Sequence, residues 1–267
     1  MTDRAALDLH RRRAMAAPEL FLHEAMRDEV EDRLGAVNRT FRAPAVVAPI
    51  ASIWEDSLPG GRIVEDAETP DLEPGAHDLV IHAGALHWAD DPVGQLIQCR
   101  RALRPDGLFL AVVPGGQSLQ ELRAALGQAE ADITGGLSPR IAPMGEIRDL
   151  GALLQRAGFA LPVADSLVMR ASYRSIRHLA TDLRGMGETN ALADRIRKPT
   201  RRAVMDRAET IYAENFADEE GRLIATFEFI FLTGWAPDES QPQPLRPGSA
   251  VSRLADALNT EETKLSD

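Results

Sequence analysis

The chain has 267 residues, 44% hydrophobic and 27% charged, which suits one α/β domain with a helical insertion, or two small domains, around a real core. Its net charge of −11 excludes a general nucleic-acid binder, because phosphate neutralisation needs clustered Lys and Arg. The single cysteine, Cys99, excludes an intrachain disulfide and a cysteine-based zinc site, and no apolar run approaches the roughly 20 residues of a membrane span, so a cytoplasmic location is expected.

Met1 to Arg13 holds three consecutive arginines and no apolar stretch, so no secretory signal is read there. Phe21, Leu22, Ala25, Met26, Val30 and Leu34 then recur at helical spacing and predict an amphipathic helix. Ala45-Val46-Val47, Arg62-Ile63-Val64 and Asp78 to His82 are β candidates. Pro92 opens a helix that runs to about Leu103, because its fixed φ suits a first turn. Cys99 shares a helical face with Leu96 and Leu103 and reads as packed. Arg104 to Gly107 is a turn. Leu108 to Val113 is a continuous apolar run of the kind found in buried parallel strands, closed by Gly115-Gly116.

Helical spacing returns over Leu119 to Ala131 and again over Arg148 to Ala157, where Gly158 supplies a left-handed cap. A strand is expected near Leu167. Two helices follow, one through Ile176, Leu179, Ala180 and Leu183 and one through Val204, Ala208, Ile211 and Tyr212. Ile224 to Thr233, rich in aromatic and β-branched residues, reads as a long final strand. The tail carries Pro242, Pro244 and Pro247 and reads as largely disordered, with a short helix over Val251 to Leu258. Alternating strands and helices mean an α/β fold with helices on both faces of a mostly parallel sheet. The expected divisions are an N-terminal helical segment over 1–42, a core over 43–172, a helical cap over 173–220, a last strand over 221–237 and a tail over 238–267.

Four segments, in order, resemble the class I S-adenosylmethionine (SAM) methyltransferases: Asp66 to Glu68, His77 to Ile81, Ala85 to Trp88, and Arg101 to Leu108. A narrower resemblance runs through Leu86-His87-Trp88, Gly135 to Arg140, Asp182 to Asn190 and Leu232 to Pro237. It is to the bacterial relatives of a mitochondrial complex I assembly factor with the methyltransferase fold. Malonyl-carrier-protein methyltransferases are similar at greater distance. The resemblance implies a Rossmann-like sheet, SAM as cofactor and, in the assembly-factor family, hydroxylation of an arginine on a complex I subunit.

Such a fold binds its ligand at the carboxyl ends of the strands. There, Asp66-Ala67 matches the element that reads adenine, since a carboxylate accepts from the amino group and the next backbone N–H donates to a ring nitrogen. Against that stands a solvated acidic turn with Glu65 and Glu68. Past the first strand comes Ala48-Pro49-Ile50-Ala51-Ser52, with no glycine for close backbone approach. The stretch between Val47 and Asp78 is short for two helices and two strands, so one βα unit is expected to be missing, and the ribose carboxylate with it. Losing these contacts costs on the order of 3–5 kcal/mol, which weakens binding by roughly 10²–10⁴.

Trp88 is placed to stack on a cofactor and His87 to act as a general base, or both simply pack at the mouth of the site. No metal site is expected, because no two-His-one-carboxylate spacing is present. Gly185-Met186-Gly187 follows a helix rather than a strand, which excludes a dinucleotide fingerprint. Arg195, Arg197, Lys198, Arg201 and Arg202 form a basic cluster in an acidic chain. It is either a solvated connector or a docking patch for an acidic protein partner, and it is expected in a cap over the carboxyl ends of the strands. Two functions stand: a SAM-dependent methyltransferase-like protein acting on a protein or carrier-linked substrate, or a non-catalytic assembly factor for a respiratory complex.

Overall fold

A computed structural model describes residues 1–242. The chain divides into two compact units, Met1–Pro237 and Asp238–Asp267. The expected helix over Val251 to Leu258 lies outside the described residues.

The first unit is built on a six-stranded sheet: β1 (Pro44–Ala48), β2 (Arg62–Glu65), β3 (His77–Ala83), β4 (Leu103–Pro114), β5 (Ala160–Tyr173) and β6 (Leu223–Trp235). Their order across the sheet is β2-β1-β3-β4-β6-β5. The pairs β2/β1, β1/β3 and β3/β4 are parallel, whereas β6 runs antiparallel to both β4 and β5. Between Val47 and Asp78 the chain makes one 3-10 turn and one strand, so β2 is the edge and a βα unit is missing.

Two cores explain the layering. Along β4, Leu108, Leu110 and Val112 face one side while Phe109, Ala111 and Val113 face the other, the period-two alternation of a strand buried on both faces. The first side is covered by α2 (Phe21–Ala36), α4 (Gln120–Thr134), α6 (Ile176–Gly185) and α7 (Arg202–Phe216). The second is covered by α3 (Pro92–Ala102) and α5 (Ile147–Ala157). Cys99 packs inside this second core, where burial pushes its thiol up to about 12, so it is inert. β5 extends well beyond the expected Leu167. It is the free edge, so polar residues and Pro162 interrupt its pattern, and Leu161, Val163 and Val168 remain exposed.

A helix that the spacing did not predict, α1 (Arg4–Ala14), opens the chain. Asp3 caps it by accepting from the Ala6 N–H, and Arg11, Arg12 and Arg13 occupy its last turn, where cations favour the negative end of the helix dipole. Only Ala6, Leu7 and Ala14 are buried, so the helix has no broad apolar face. Leu7 joins Trp88, Ala142, Ala191 and Leu192 in a third small core.

The α5 terminus is legible in sequence and confirmed in structure: Gly158 adopts φ +82° and its N–H bonds the last turn. Gly158→Ala should therefore cost about 1–2 kcal/mol, the left-handed penalty of a Cβ, read as a lowered midpoint in urea with an unchanged m value.

Candidate functional site

The site is assembled where the chain leaves β1, β2 and β3. β1 runs straight into Pro49 and Ile50, then the 3-10 turn Ala51–Ile53 and the buried Trp54. α2 lays His23 and Met26 across this exit, and a Cβ on Gly84 would come within 3.2 Å of the Met26 Cε. The space left among His23, Met26, Pro49, Ile50, Ile53, Trp54 and Ala83 is about 10 Å³. That is at the lower limit for one water molecule. The methionyl part of SAM is larger than that space.

Asp66 follows β2, as expected, and the alternative of a solvated acidic turn is not found there. Its side chain is fully buried, not solvated, and Arg11 Nη1 donates to its Oδ2 at 2.7 Å. Arg4 Nη1 stands 3.6 Å from the same oxygen, and Arg4 Nη2 donates to the Asp66 carbonyl. Thus α1 delivers two guanidinium groups to the carboxylate that would read adenine. The Ala67 carbonyl accepts from Gln95 Nε2 at 3.0 Å, and Gln95 Oε1 is 3.0 Å from the Nε2 of the fully buried His82. Burial pushes the His82 imidazole below its ordinary range.

His87 and Trp88 lie in the 3-10 turn after β3. Both meet Glu188, which sequence reading did not single out. Trp88 Nε1 donates to Glu188 Oε2 at 2.8 Å, and His87 Nε2 is 3.0 Å from the same oxygen. Burial raises the Glu188 carboxyl, but His87, Arg11 and His23 more than offset this and hold it down at about 2. An ionised carboxylate fixes the histidine tautomer, so His87 carries its proton on Nε2. The His87 Nδ1 is buried and has no hydrogen-bond partner among the described residues, and the same holds for Glu188 Oε1, Asp66 Oδ1 and the Nε and Nη2 of Arg11.

These groups adjoin an apolar cavity of about 200 Å³, lined among others by Leu22, Leu122, Leu183, Met186, Phe227 and Phe229, with His87 and Glu188 in its wall. Segments that carry the family resemblance converge here. Asn190 Nδ2 donates to the Pro139 carbonyl at 2.8 Å, and Arg140 reaches both Glu130, at 2.8 Å, and Thr200 Oγ1, at 3.0 Å. The Leu232 to Pro237 segment does not converge: Trp235 pairs with Leu108, at the opposite end of β4.

The cover over the strand ends is shared. Thr2 Oγ1 donates to the Trp88 carbonyl at 2.9 Å and Asp3 N–H to the Ala191 carbonyl at 2.7 Å. Arg195 and Arg197 both reach Asp3 Oδ2, at 2.9 and 3.2 Å. Of the two helices beside that basic cluster, α7 instead packs along α4, with Arg207 Nε 3.0 Å from Asp132 Oδ2. Among the described residues no group of three His, Cys, Asp or Glu side chains is placed to hold a metal ion, and no helix is long and apolar enough to cross a membrane.

A family model described as a methyltransferase domain matches residues 48–111. The arginine-hydroxylase NDUFAF5 of Danio rerio is 34% identical over 220 residues, covering 82% of this chain and 68% of the relative. The malonyl-[acyl-carrier protein] O-methyltransferase of Laribacter hongkongensis is 33% identical over 218 residues, covering 81% of this chain and 65% of the relative. Among solved structures, a Haemonchus contortus phosphoethanolamine N-methyltransferase in complex with SAM aligns with a TM-score of 0.42 and 11% identity, over 79% of this chain and 52% of that one. With one identity in three across most of this chain and two thirds of the zebrafish protein, the chain belongs to the NDUFAF5 family of class I methyltransferase-fold proteins, whose fold normally carries SAM.

Proposed function

We propose that this methyltransferase-like protein receives a protein or carrier-linked substrate at the cavity beside His87, and that it binds SAM at about millimolar affinity or not at all. The observation that carries the second half is the Asp66–Arg11 pair beside a strand exit with about 10 Å³ of space. Relatives with two different chemistries in their names support the first half: one is an arginine hydroxylase, the other acts on an acyl-carrier protein.

In this reading His87 Nδ1 is the proton acceptor for the substrate. Glu188 positions the ring by accepting a hydrogen bond from the Nε2–H, as a buried carboxylate does for a catalytic histidine. Trp88 forms the wall. Asp66 and Ala67 contact adenine only after Arg11 leaves. The exposed Arg197, Lys198, Arg201 and Arg202, together with Arg195, dock an acidic protein partner. A cytoplasmic location rests on the sequence alone; the NDUFAF5 relatives are, by name, mitochondrial.

The second reading is a non-catalytic assembly factor, favoured by the same Asp66 pairing, since a protein that never admits SAM has no need of an open carboxylate. Calorimetric titration of the full chain with SAM and with S-adenosylhomocysteine separates the two. We expect a dissociation constant of about 1 mM for SAM, the consequence of roughly 3–5 kcal/mol of lost hydrogen bonds. A low-micromolar value would overturn the weak-binding reading and favour methyl transfer. No heat at all would favour the assembly factor.

A further inference from the structure

The apolar cavity is not isolated. Arg140, Arg184, Thr189 and Asn190 line it and also line a second, larger cleft of about 770 Å³. Six cationic side chains border that cleft: Arg13, Arg140, Arg184, Arg195, Arg197 and Lys198. Among the described residues no carboxylate does. Arg140 is neutralised by Glu130, and Arg195 and Arg197 share Asp3. Arg13, Arg184 and Lys198 form no ion pair among the described residues, and all three are exposed.

In a chain of net charge −11, a concave surface with three unspent cations and no acid has a specific electrostatic demand. Guanidinium forks meet it best with a phosphate, whose oxygens accept two parallel N–H bonds from each arginine. The adjoining cavity makes the opposite demand. Away from those polar groups its wall is mainly leucine, methionine and phenylalanine, and an apolar cavity of about 150 Å³ is already large enough to take benzene. At about 200 Å³ it holds a short aliphatic chain or one ring. We propose that the two form one site for a phosphate-headed ligand with a short apolar chain: the phosphate in the cleft on Arg13, Arg184 and Lys198, the chain in the cavity, ending beside His87.

This deepens the substrate half of the proposed function and rests on its location, but it does not involve SAM. The test is a calorimetric titration of the full chain with hexyl phosphate, inorganic phosphate, 1-hexanol and hexaglutamate. Hexyl phosphate is expected to bind at least about tenfold more tightly than inorganic phosphate or hexanol, because only it satisfies both demands. Arg184→Glu should weaken hexyl phosphate and inorganic phosphate alike. Ala180→Phe, which puts a ring into the cavity from α6, should remove the advantage of hexyl phosphate and leave inorganic phosphate unchanged. If Ala180→Phe disturbs folding by circular dichroism, Leu126→Trp fills the same cavity from α4.

Hexyl phosphate binding no tighter than inorganic phosphate would overturn the proposal, as would tight binding that survives Arg184→Glu. Hexaglutamate binding more tightly than hexyl phosphate would overturn it in favour of an acidic polypeptide in the cleft. Any of these results with an unchanged SAM titration counts against the ligand class alone, not against the reading of the SAM site.

Discussion

Asp66→Ala is expected to lower the unfolding free energy by about 3–5 kcal/mol, the cost of leaving one partner of a buried ion pair unpaired. The arginine left behind is poorly placed to recover. Arg11 is 11% exposed, and its Nε and Nη2 already lack partners. For a unit of this size the loss corresponds to a fall in melting temperature of roughly 6–20 °C. Adding Arg11→Met should restore much of the stability, because both charges then leave together, and a double-mutant cycle in urea would report the coupling. Arg11→Met alone has a second expected effect. It removes the group that competes for Asp66, so SAM affinity should rise. A change of less than about 1 kcal/mol for Asp66→Ala would mean that the pair is open to water. The carboxylate would then be free for adenine, and the weak-binding reading would lose its main support.

Glu188 is the second position where a large effect is expected. Glu188→Ala leaves the His87 and Trp88 N–H groups without an acceptor, each worth about 1–3 kcal/mol when buried. The charge itself has a pH signature. The Glu188 carboxyl is held at about 2 in the folded chain against an ordinary value of 4.5, so the unfolded chain takes up its proton first. This contribution is therefore fully present above pH 4.5 and is lost as the pH falls toward 2. One fifth of the side chain is exposed, and solvent screening brings the expected loss to on the order of 2–3 kcal/mol. Glu188→Gln keeps the shape but has no proton to gain, so its stability should change less between pH 5 and pH 2.5. Urea unfolding of both proteins across that range checks this. Parallel acid limbs would show that Glu188 is not the group responsible. The same substitution also bears on the His87 tautomer, since a neutral amide no longer fixes the proton on Nε2. The imidazole nitrogen shifts seen by NMR should move in Glu188→Gln but not in a remote surface variant.

Local sequence determined the frame of this protein. The apolar run of β4, the proline at the start of α3, the glycine at the end of α5 and the aromatic run of β6 each act through neighbours along the chain, so each was legible without a structure. The missing βα unit was legible too, because chain length limits what can lie between Val47 and Asp78. α1 also had a local signal, Asp3 at its cap and three arginines in its last turn. Its lack of a broad apolar stripe hid it, because its buried apolar residues are only Ala6, Leu7 and Ala14, and Arg11 docks another face.

The site was decided by tertiary structure. Asp66 and Arg11 are 55 residues apart, and His87 and Glu188 are 101 apart. No periodicity links such pairs. Glu188 lies within a segment whose family resemblance was plain, yet its partner could be named only once α6 had turned the chain back over β3. The protonation of Glu188 and the availability of Asp66 follow from burial and from opposite charges at hydrogen-bond distance. Those are properties of the folded arrangement, since in the unfolded chain water solvates each group separately.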